Sequence, residues 1–140
     1  MQYILLMKGG VVMGLRFLKI SVVYFMIAVL IGLVMGIIHN FTLTSVHAHF
    51  NLLGWVSMAL FGIIYCIFPS AAETKLAKAH FWLHNIGVPL MQGALFIVLV
   101  TEDPSLTIVT IIGSILVVIG VILFAFNILR LKANQNRISN

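Results

Sequence analysis

Four long apolar runs dominate this sequence, and each is long enough to cross the hydrocarbon core of a bilayer as an α-helix. A helix needs about 20 apolar residues to cross that core, and the runs predict helices over residues 20–39, 46–68, 80–100 and 105–129. Only 8% of the 140 residues are charged, whereas 62% are hydrophobic. The sequence therefore predicts an all-α membrane protein with four transmembrane helices, and it excludes a soluble globular domain.

The predicted four-helix domain covers residues 20–130 and is flanked by two shorter segments. Residues 1–19 are apolar but interrupted by glycine and basic residues, which predicts an N-terminal interfacial segment or an upstream extension. Residues 131–140 are polar and predict a cytoplasmic tail. Pro69 is expected to end the second helix, because proline cannot continue a helix comfortably. Asp103 is a plausible N-cap for the fourth helix.

All eight basic residues fall on one side of this predicted topology. The positive-inside rule makes that side cytoplasmic, so both termini are expected inside a multi-pass protein of the cytoplasmic (inner) membrane. The net charge of +5 thus reflects orientation in the bilayer and does not indicate a nucleic acid partner. In this topology His39, His47 and His49 lie toward the outer leaflet, and His80 and His84 enter from the inner face.

Four polar or aromatic side chains open the second helix: His47, His49, Asn51 and Trp55. Ionisable groups at membrane depth are costly, and by default they mark function. Each helical residue advances about 100°, so residues i and i+2 point to nearly opposite sides. His47 and His49 therefore cannot grip one metal from one face, and each needs its own partner. Asn51 and Trp55 continue inward along the His47 face and are candidate cofactor-binding residues with the histidines.

These histidines are candidate ligands, because neutral imidazole suits iron, copper and zinc alike. His39 could join such a set, or it could be an interfacial residue at a helix end. His80 and His84 share a face at i, i+4 and could chelate a metal, but interfacial or packing roles beside the basic loop are favoured. The three acidic residues lie in loops, so the sequence predicts no intramembrane carboxylate relay and no familiar enzyme constellation.

The second and third predicted helices resemble the tenth and eleventh helices of the catalytic subunit of the haem–copper oxidase superfamily, which includes nitric oxide reductases. The family's His-x-His is matched by His47-Ala48-His49, and its aromatic-Phe-Pro ending by the run up to Pro69, twenty residues after His49. A family-like His-Phe-Trp-Leu with a nearby Ile-Gly is matched by residues 80–83 and 86–87. The resemblance covers about residues 46–93.

The resemblance implies a haem protein with haem b, in which His47 and His49 serve as iron ligands and two different haems are involved. This chain departs from the family in having four helices where the family has twelve, in three groups of four. It also lacks the histidine helices and tyrosine that form the copper site, and the basic pair that neutralises haem propionates. A complete oxygen reductase is therefore not expected, and haem redox activity is left open.

The sequence leaves two candidate functions open and predicts one oligomeric assembly. The preferred function is a membrane b-type cytochrome for electron transfer or for binding nitric oxide or oxygen. The alternative is a non-haem copper- or zinc-handling protein, or an oxidase-assembly module, that uses the same histidines. Because His47 and His49 point in opposite directions, and because the family has three groups of helices, a ring-shaped homotrimer in the bilayer is expected, with each haem shared between neighbouring protomers.

Overall fold

The computed structural model describes the backbone of residues 2–131 and the side chains of residues 10–131. Within that part of the chain, four helices are long and apolar enough to cross a membrane. They are α1 (Gln2–Ile38), α2 (Thr44–Ile67), α3 (Lys75–Thr101) and α4 (Pro104–Leu129). The prediction of an all-α fold with four helices able to span a membrane is confirmed for this part of the chain. The polar tail from residue 132 onward lies outside the described residues.

Helix α1 begins much earlier than the sequence predicts. It runs without a break from Gln2 to Ile38, so residues 2–19 are helical and continuous with the first predicted span. Gly10 and Gly14, which look like interruptions in the sequence, are contact points with α2 and the residues after it. A Cβ at Gly10 would lie 2.5 Å from the Cα of Pro69, and a Cβ at Gly14 would overlap the sulfur of Cys66. The glycines therefore permit close helix approach rather than ending a helix.

The other helix ends follow from proline and from side-chain caps. Helix α2 ends at Ile67, and Pro69 opens a single helical turn, Pro69–Ala72, which we call the connector. Thr74 caps α3 by accepting a hydrogen bond from the Ala77 N–H at 3.0 Å, so α3 begins five residues before the predicted start. The predicted cap at Asp103 is confirmed, since its carboxylate accepts from Ser105 N–H at 2.9 Å.

The four helices pack as two close pairs, α1 with α2 and α3 with α4. In the second pair a Cβ at Gly113 would lie 2.5 Å from the Met91 backbone nitrogen, so the two backbones nearly touch. Between the pairs the space is filled by aromatic and imidazole rings. Phe61 of α2, for example, lies 4.5 Å from both His80 of α3 and Phe124 of α4, measured between ring centroids.

One end of the bundle carries the basic residues. Gly10 of α1 lies against Pro69, and Asn127 near the end of α4 donates to the Ala71 carbonyl at 2.9 Å. The α1 turn at Gly10, the connector and the end of α4 therefore meet at this end. We call it the basic end, because Arg16 and Lys78 lie here beside Ala72, with Lys75 at the start of α3 and Arg130 directly after α4.

Candidate haem site

Helix α2 changes its hydrogen-bonding pattern directly after the His47-Ala48-His49 motif. Thr44–His49 is α-helical, Phe50–Val56 is a π-helix, and Ser57–Ile67 is α-helical again. The Ser57 N–H donates to the carbonyl of Leu52, five residues back. In an α-helix it would donate to Leu53, so the π segment makes the Leu53 carbonyl available to another donor. Such segments are rare and are frequent at functional sites.

His47 points from α2 toward α1. Its Nδ1 lies 2.9 Å from the carbonyl oxygen of Ala28. Since a carbonyl can only accept, Nδ1 carries the proton and Nε2 keeps its lone pair. Gly32 lies directly against the ring, because a Cβ there would be 2.7 Å from Cε1 of His47. The half-buried imidazole thus occupies a slot on α1 that only a glycine leaves open.

His49 points to the other side of α2. Its Nδ1 lies 2.7 Å from the carbonyl of Ser45, one turn back along the same helix. By the same argument Nδ1 is protonated and Nε2 keeps its lone pair. His49 borders a cavity of about 370 Å³ between α2 and the α3–α4 pair, whose other lining residues are apolar except for Ser114. The imidazole therefore stands at the edge of an apolar groove.

The two histidines share one arrangement in two different surroundings. In each, the Nδ1–H is held by a backbone carbonyl, which is how metal-binding histidines are commonly fixed in tautomer and orientation. They contact different helices, as the i, i+2 spacing predicts. A single protomer leaves both rings half-buried, whereas the spacing alone suggests one buried ring and one facing lipid.

Asn51 and Trp55 both lie on the α1 side of α2. The Asn51 side-chain nitrogen lies 2.9 Å from the His47 carbonyl and 3.3 Å from Nε2 of the same residue. The Asn51 amide therefore donates to the unprotonated Nε2 of His47, and a metal bound at that nitrogen would have to displace this hydrogen bond. Trp55 packs on Phe25 of α1, with ring centroids 3.8 Å apart, and this contact joins the two helices further from the histidines.

His39 does not join the histidine pair within one chain. It ends α1 in a left-handed conformation, with φ of 51°, and its side chain is exposed. His47 packs at Gly32, seven residues earlier on α1, and seven helical residues rise about 10 Å. His39 thus lies closer to the end of the bundle than the slot that holds His47.

His80 and His84 lie in the centre of the bundle and are fully buried. The interfacial interpretation of this pair is therefore wrong, because neither side chain reaches the surface of the bundle. His80 Nδ1 lies 3.0 Å from the Tyr65 hydroxyl, and His84 Nε2 donates to the Leu53 carbonyl at 3.0 Å. That carbonyl is the one made available by the π segment, so α3 contacts α2 just below the candidate site. Sequence spacing shows that the two histidines share a face, but it does not reveal this acceptor.

Among the residues that the structure describes, no group of three or more His, Cys, Asp or Glu side chains is placed to hold a metal. A metal centre built from one chain's described residues would therefore rest on a pair of ligands or on a shared site. Two protein ligands would suit a haem, because the porphyrin supplies the remaining donors to the iron.

Comparison with known proteins adds a sequence relationship. The chain is 32% identical over 95 residues to the bacteroid cytochrome c oxidase subunit 1 homolog of Bradyrhizobium diazoefficiens, covering 59% of this chain and 17% of that protein. It is 34% identical over 62 residues to cytochrome c oxidase subunit 1 of Rhodobacter capsulatus, covering 40% and 12% respectively. It is 28% identical over 111 residues to the cytochrome c oxidase subunit 1 homolog of Azorhizobium caulinodans, covering 59% and 20%.

No family model and no solved structure matches the chain. The chain spans a fifth or less of the length of the curated relatives it matches. The predicted resemblance is nevertheless confirmed. This membrane protein is related in sequence to the catalytic subunits of the haem–copper oxidase superfamily.

Proposed function

We propose that this chain is a membrane b-type haem protein, a minimal relative of the oxidase core, that holds haem b through His47 and His49. Bound haem supplies one-electron chemistry or a site for a diatomic gas such as nitric oxide or oxygen. The relatives named above are cytochrome c oxidase subunits, which makes a haem the first group to test. Oxygen reduction to water is not proposed.

The observation that carries this proposal is the shared tautomer of the two histidines. Both Nδ1 atoms are held by backbone carbonyls, at 2.9 Å and 2.7 Å, so both Nε2 atoms keep the lone pair that binds iron. The surroundings also fit a haem. Gly32 leaves room for the His47 ring, and the groove beside His49 is apolar, as the edge of a porphyrin requires.

The opposite directions of the two rings favour a shared site. His47 contacts α1 and His49 borders the α3–α4 pair, so one haem cannot lie between them within one chain. In a ring of three protomers, each α2 would give one histidine to the pocket on either side. Closed cyclic symmetry makes all such pockets equivalent. We therefore propose a homotrimer with up to three haems, each ligated by His47 of one protomer and His49 of its neighbour.

The one-sided distribution of basic residues completes the proposal. Arg16, Lys75, Lys78 and Arg130 lie at the basic end, which the positive-inside rule makes cytoplasmic. We propose that the protein lies in the inner membrane with both termini inside, so that the haem site belongs to the outer half of the bilayer.

Native mass and haem content in mild detergent test the proposal, with His47→Ala, His49→Ala and the control Leu60→Ala. Leu60 lies on the same helix and is 52% exposed. Wild type and the control should be trimers with a bis-histidine reduced spectrum. Each histidine variant should lose that spectrum and dissociate more easily, because a cofactor bound only by the assembly stabilises it.

Three outcomes would contradict parts of this proposal. A haem-loaded monomer would exclude the shared site. One histidine variant with an unchanged bis-histidine spectrum would exclude that residue as a ligand. A colourless protein that retains copper or zinc through the same histidines would exclude the haem and support a metal-handling function.

A further inference from the structure

The buried histidine pair on α3 leaves two ring nitrogens without a hydrogen-bond partner. These atoms are Nε2 of His80 and Nδ1 of His84, and both side chains are fully buried. Buried polar atoms nearly always have partners, and an exception commonly marks an absent water or ion or a functional group. We infer that His80 and His84 form a second metal site, separate from the haem site, that binds one Cu(I) ion between the two imidazoles.

The hydrogen bonds fix which nitrogens can act as ligands. His84 donates through Nε2 to the Leu53 carbonyl, so its Nδ1 is a bare lone pair when the ring is neutral. His80 Nδ1 lies 3.0 Å from the Tyr65 hydroxyl. That hydroxyl can accept from an Nδ1–H group, which leaves Nε2 of His80 as a second lone pair. The two orphaned nitrogens are then the two donors that a metal needs.

The spacing of the rings suits a metal held between them. The two ring centroids are 5.7 Å apart. Metal–imidazole bonds of about 2.0 Å would hold two ring centroids roughly 6 Å apart. The residues lie one helical turn from each other on α3, so a single rigid element sets the separation.

The surroundings of the pair are aromatic and carry no charge. Phe17 stacks on His80 at 5.2 Å between centroids, and Phe61 meets both imidazoles edge-on, at 4.5 Å and 5.3 Å. Aromatic rings stabilise a nearby cation, but they cannot offset the cost of burying a divalent ion. The aromatic surroundings of the two imidazoles therefore favour a metal ion that carries a single positive charge.

Ligand number and charge together select the ion. Zinc takes four ligands in structural sites, and magnesium and calcium take oxygen ligands. The described residues offer no group of three or more metal-binding side chains. The site therefore needs a monovalent ion that is stable with two imidazole donors, and Cu(I) meets both requirements. The occupant that competes with it is a buried water that bridges the two nitrogens.

Anaerobic titration of the purified full-length protein with Cu(I), against a chromophoric Cu(I) chelator, tests this site. Wild type should bind one Cu(I) per chain, and His80→Phe and His84→Phe should each bind it at least tenfold more weakly. The double variant His47→Ala/His49→Ala should retain the copper. That control separates this site from the haem proposal, because losing haem would not remove Cu(I).

Copper X-ray absorption on the wild-type protein gives a readout that needs no variant to fold. Two nitrogen donors at short distance are expected. Absence of Cu(I) binding would leave a bridging water as the occupant and overturn the proposal. Sulfur ligation of the copper would also overturn the proposal. So would a protein that loses copper when His47 and His49 are substituted but keeps it when His80 and His84 are substituted.

Discussion

At the scale of single residues, the environment of His47 depends on a residue that carries no side chain. The imidazole lies against Gly32 of α1 and donates to the Ala28 carbonyl one turn earlier. A Cβ at Gly36, one turn later on the same helix, would meet no atom within 4 Å. The two glycines therefore differ in their surroundings: Gly32 lies against the His47 ring, whereas no described atom covers Gly36.

Substituting Gly32→Ala is expected to displace the His47 ring, because the new Cβ would lie 2.7 Å from Cε1. Loss of a group that orients a metal ligand typically lowers affinity about 10- to 100-fold. Haem affinity should fall by that order in a haem titration, while Gly36→Ala should bind like wild type. Equal affinities for the two variants would show that the slot does not position the ligand.

The sequence predicts some features of the site and not others. The opposite directions of His47 and His49 follow from their spacing alone, because a helix advances about 100° per residue. The two carbonyl anchors could not be predicted. One belongs to another helix, at Ala28, so it depends on how α1 and α2 pack.

At the scale of elements, the missed start of α1 and the missed π segment have different causes. Glycine lowers helix propensity in a short sequence window, and only the packing of Gly10 and Gly14 against α2 shows why they are tolerated. The π segment Phe50–Val56 has no comparable sequence signal. Its effect appears only in three dimensions, where His84 of α3 reaches the Leu53 carbonyl.

The connector is held to α4 by one buried side chain, and this contact can be tested. Asn127 accepts from the Thr74 hydroxyl and donates to the Ala71 carbonyl, both at 2.9 Å. Asn127→Leu should destabilise the protein by about 1–3 kcal/mol, because it removes two hydrogen bonds and leaves the Ala71 carbonyl with the Thr74 hydroxyl, at 3.1 Å, as its partner. Thermal unfolding in detergent would measure this.

Asn85→Leu supplies the matched control for that experiment. Asn85 makes only a local bond to the Phe81 carbonyl, one turn back on α3. It should therefore change the melting temperature much less than Asn127→Leu. If both variants melt alike, the link between connector and α4 contributes no more than a local bond does.

At the scale of the whole molecule, the bundle consists of two pairs of helices. Within each pair the backbones are in close contact, and aromatic rings fill the space between the pairs. The pairs α1–α2 and α3–α4 are in close contact through glycines, and the rings around His80 fill the space between them. The haem–copper oxidase relatives are five or more times longer than the matched part of their chains. This four-helix unit therefore corresponds to only a small part of those proteins.

The topology of this unit is a separate prediction. Four described cations lie at the basic end, and the connections between α1 and α2 and between α3 and α4 carry no lysine or arginine. Both termini should therefore be cytoplasmic. A reporter that is active only in the cytoplasm should be active when it is fused to either terminus. A reporter that is active only in the periplasm should be active when it is inserted at residues 40–43. A terminus found outside would reverse the orientation.

The two histidine anchors differ in one respect that affects how the protein could respond to movement. His49 is anchored to Ser45 of its own helix, whereas His47 is anchored to Ala28 of a neighbouring one. A carbonyl that accepts from Nδ1–H raises the basicity of an imidazole ligand. Sliding of α1 along α2 would therefore weaken the donor strength of His47 and leave His49 unchanged. In the proposed ring each iron has one ligand of each kind, so its reduction potential would report the position of α1.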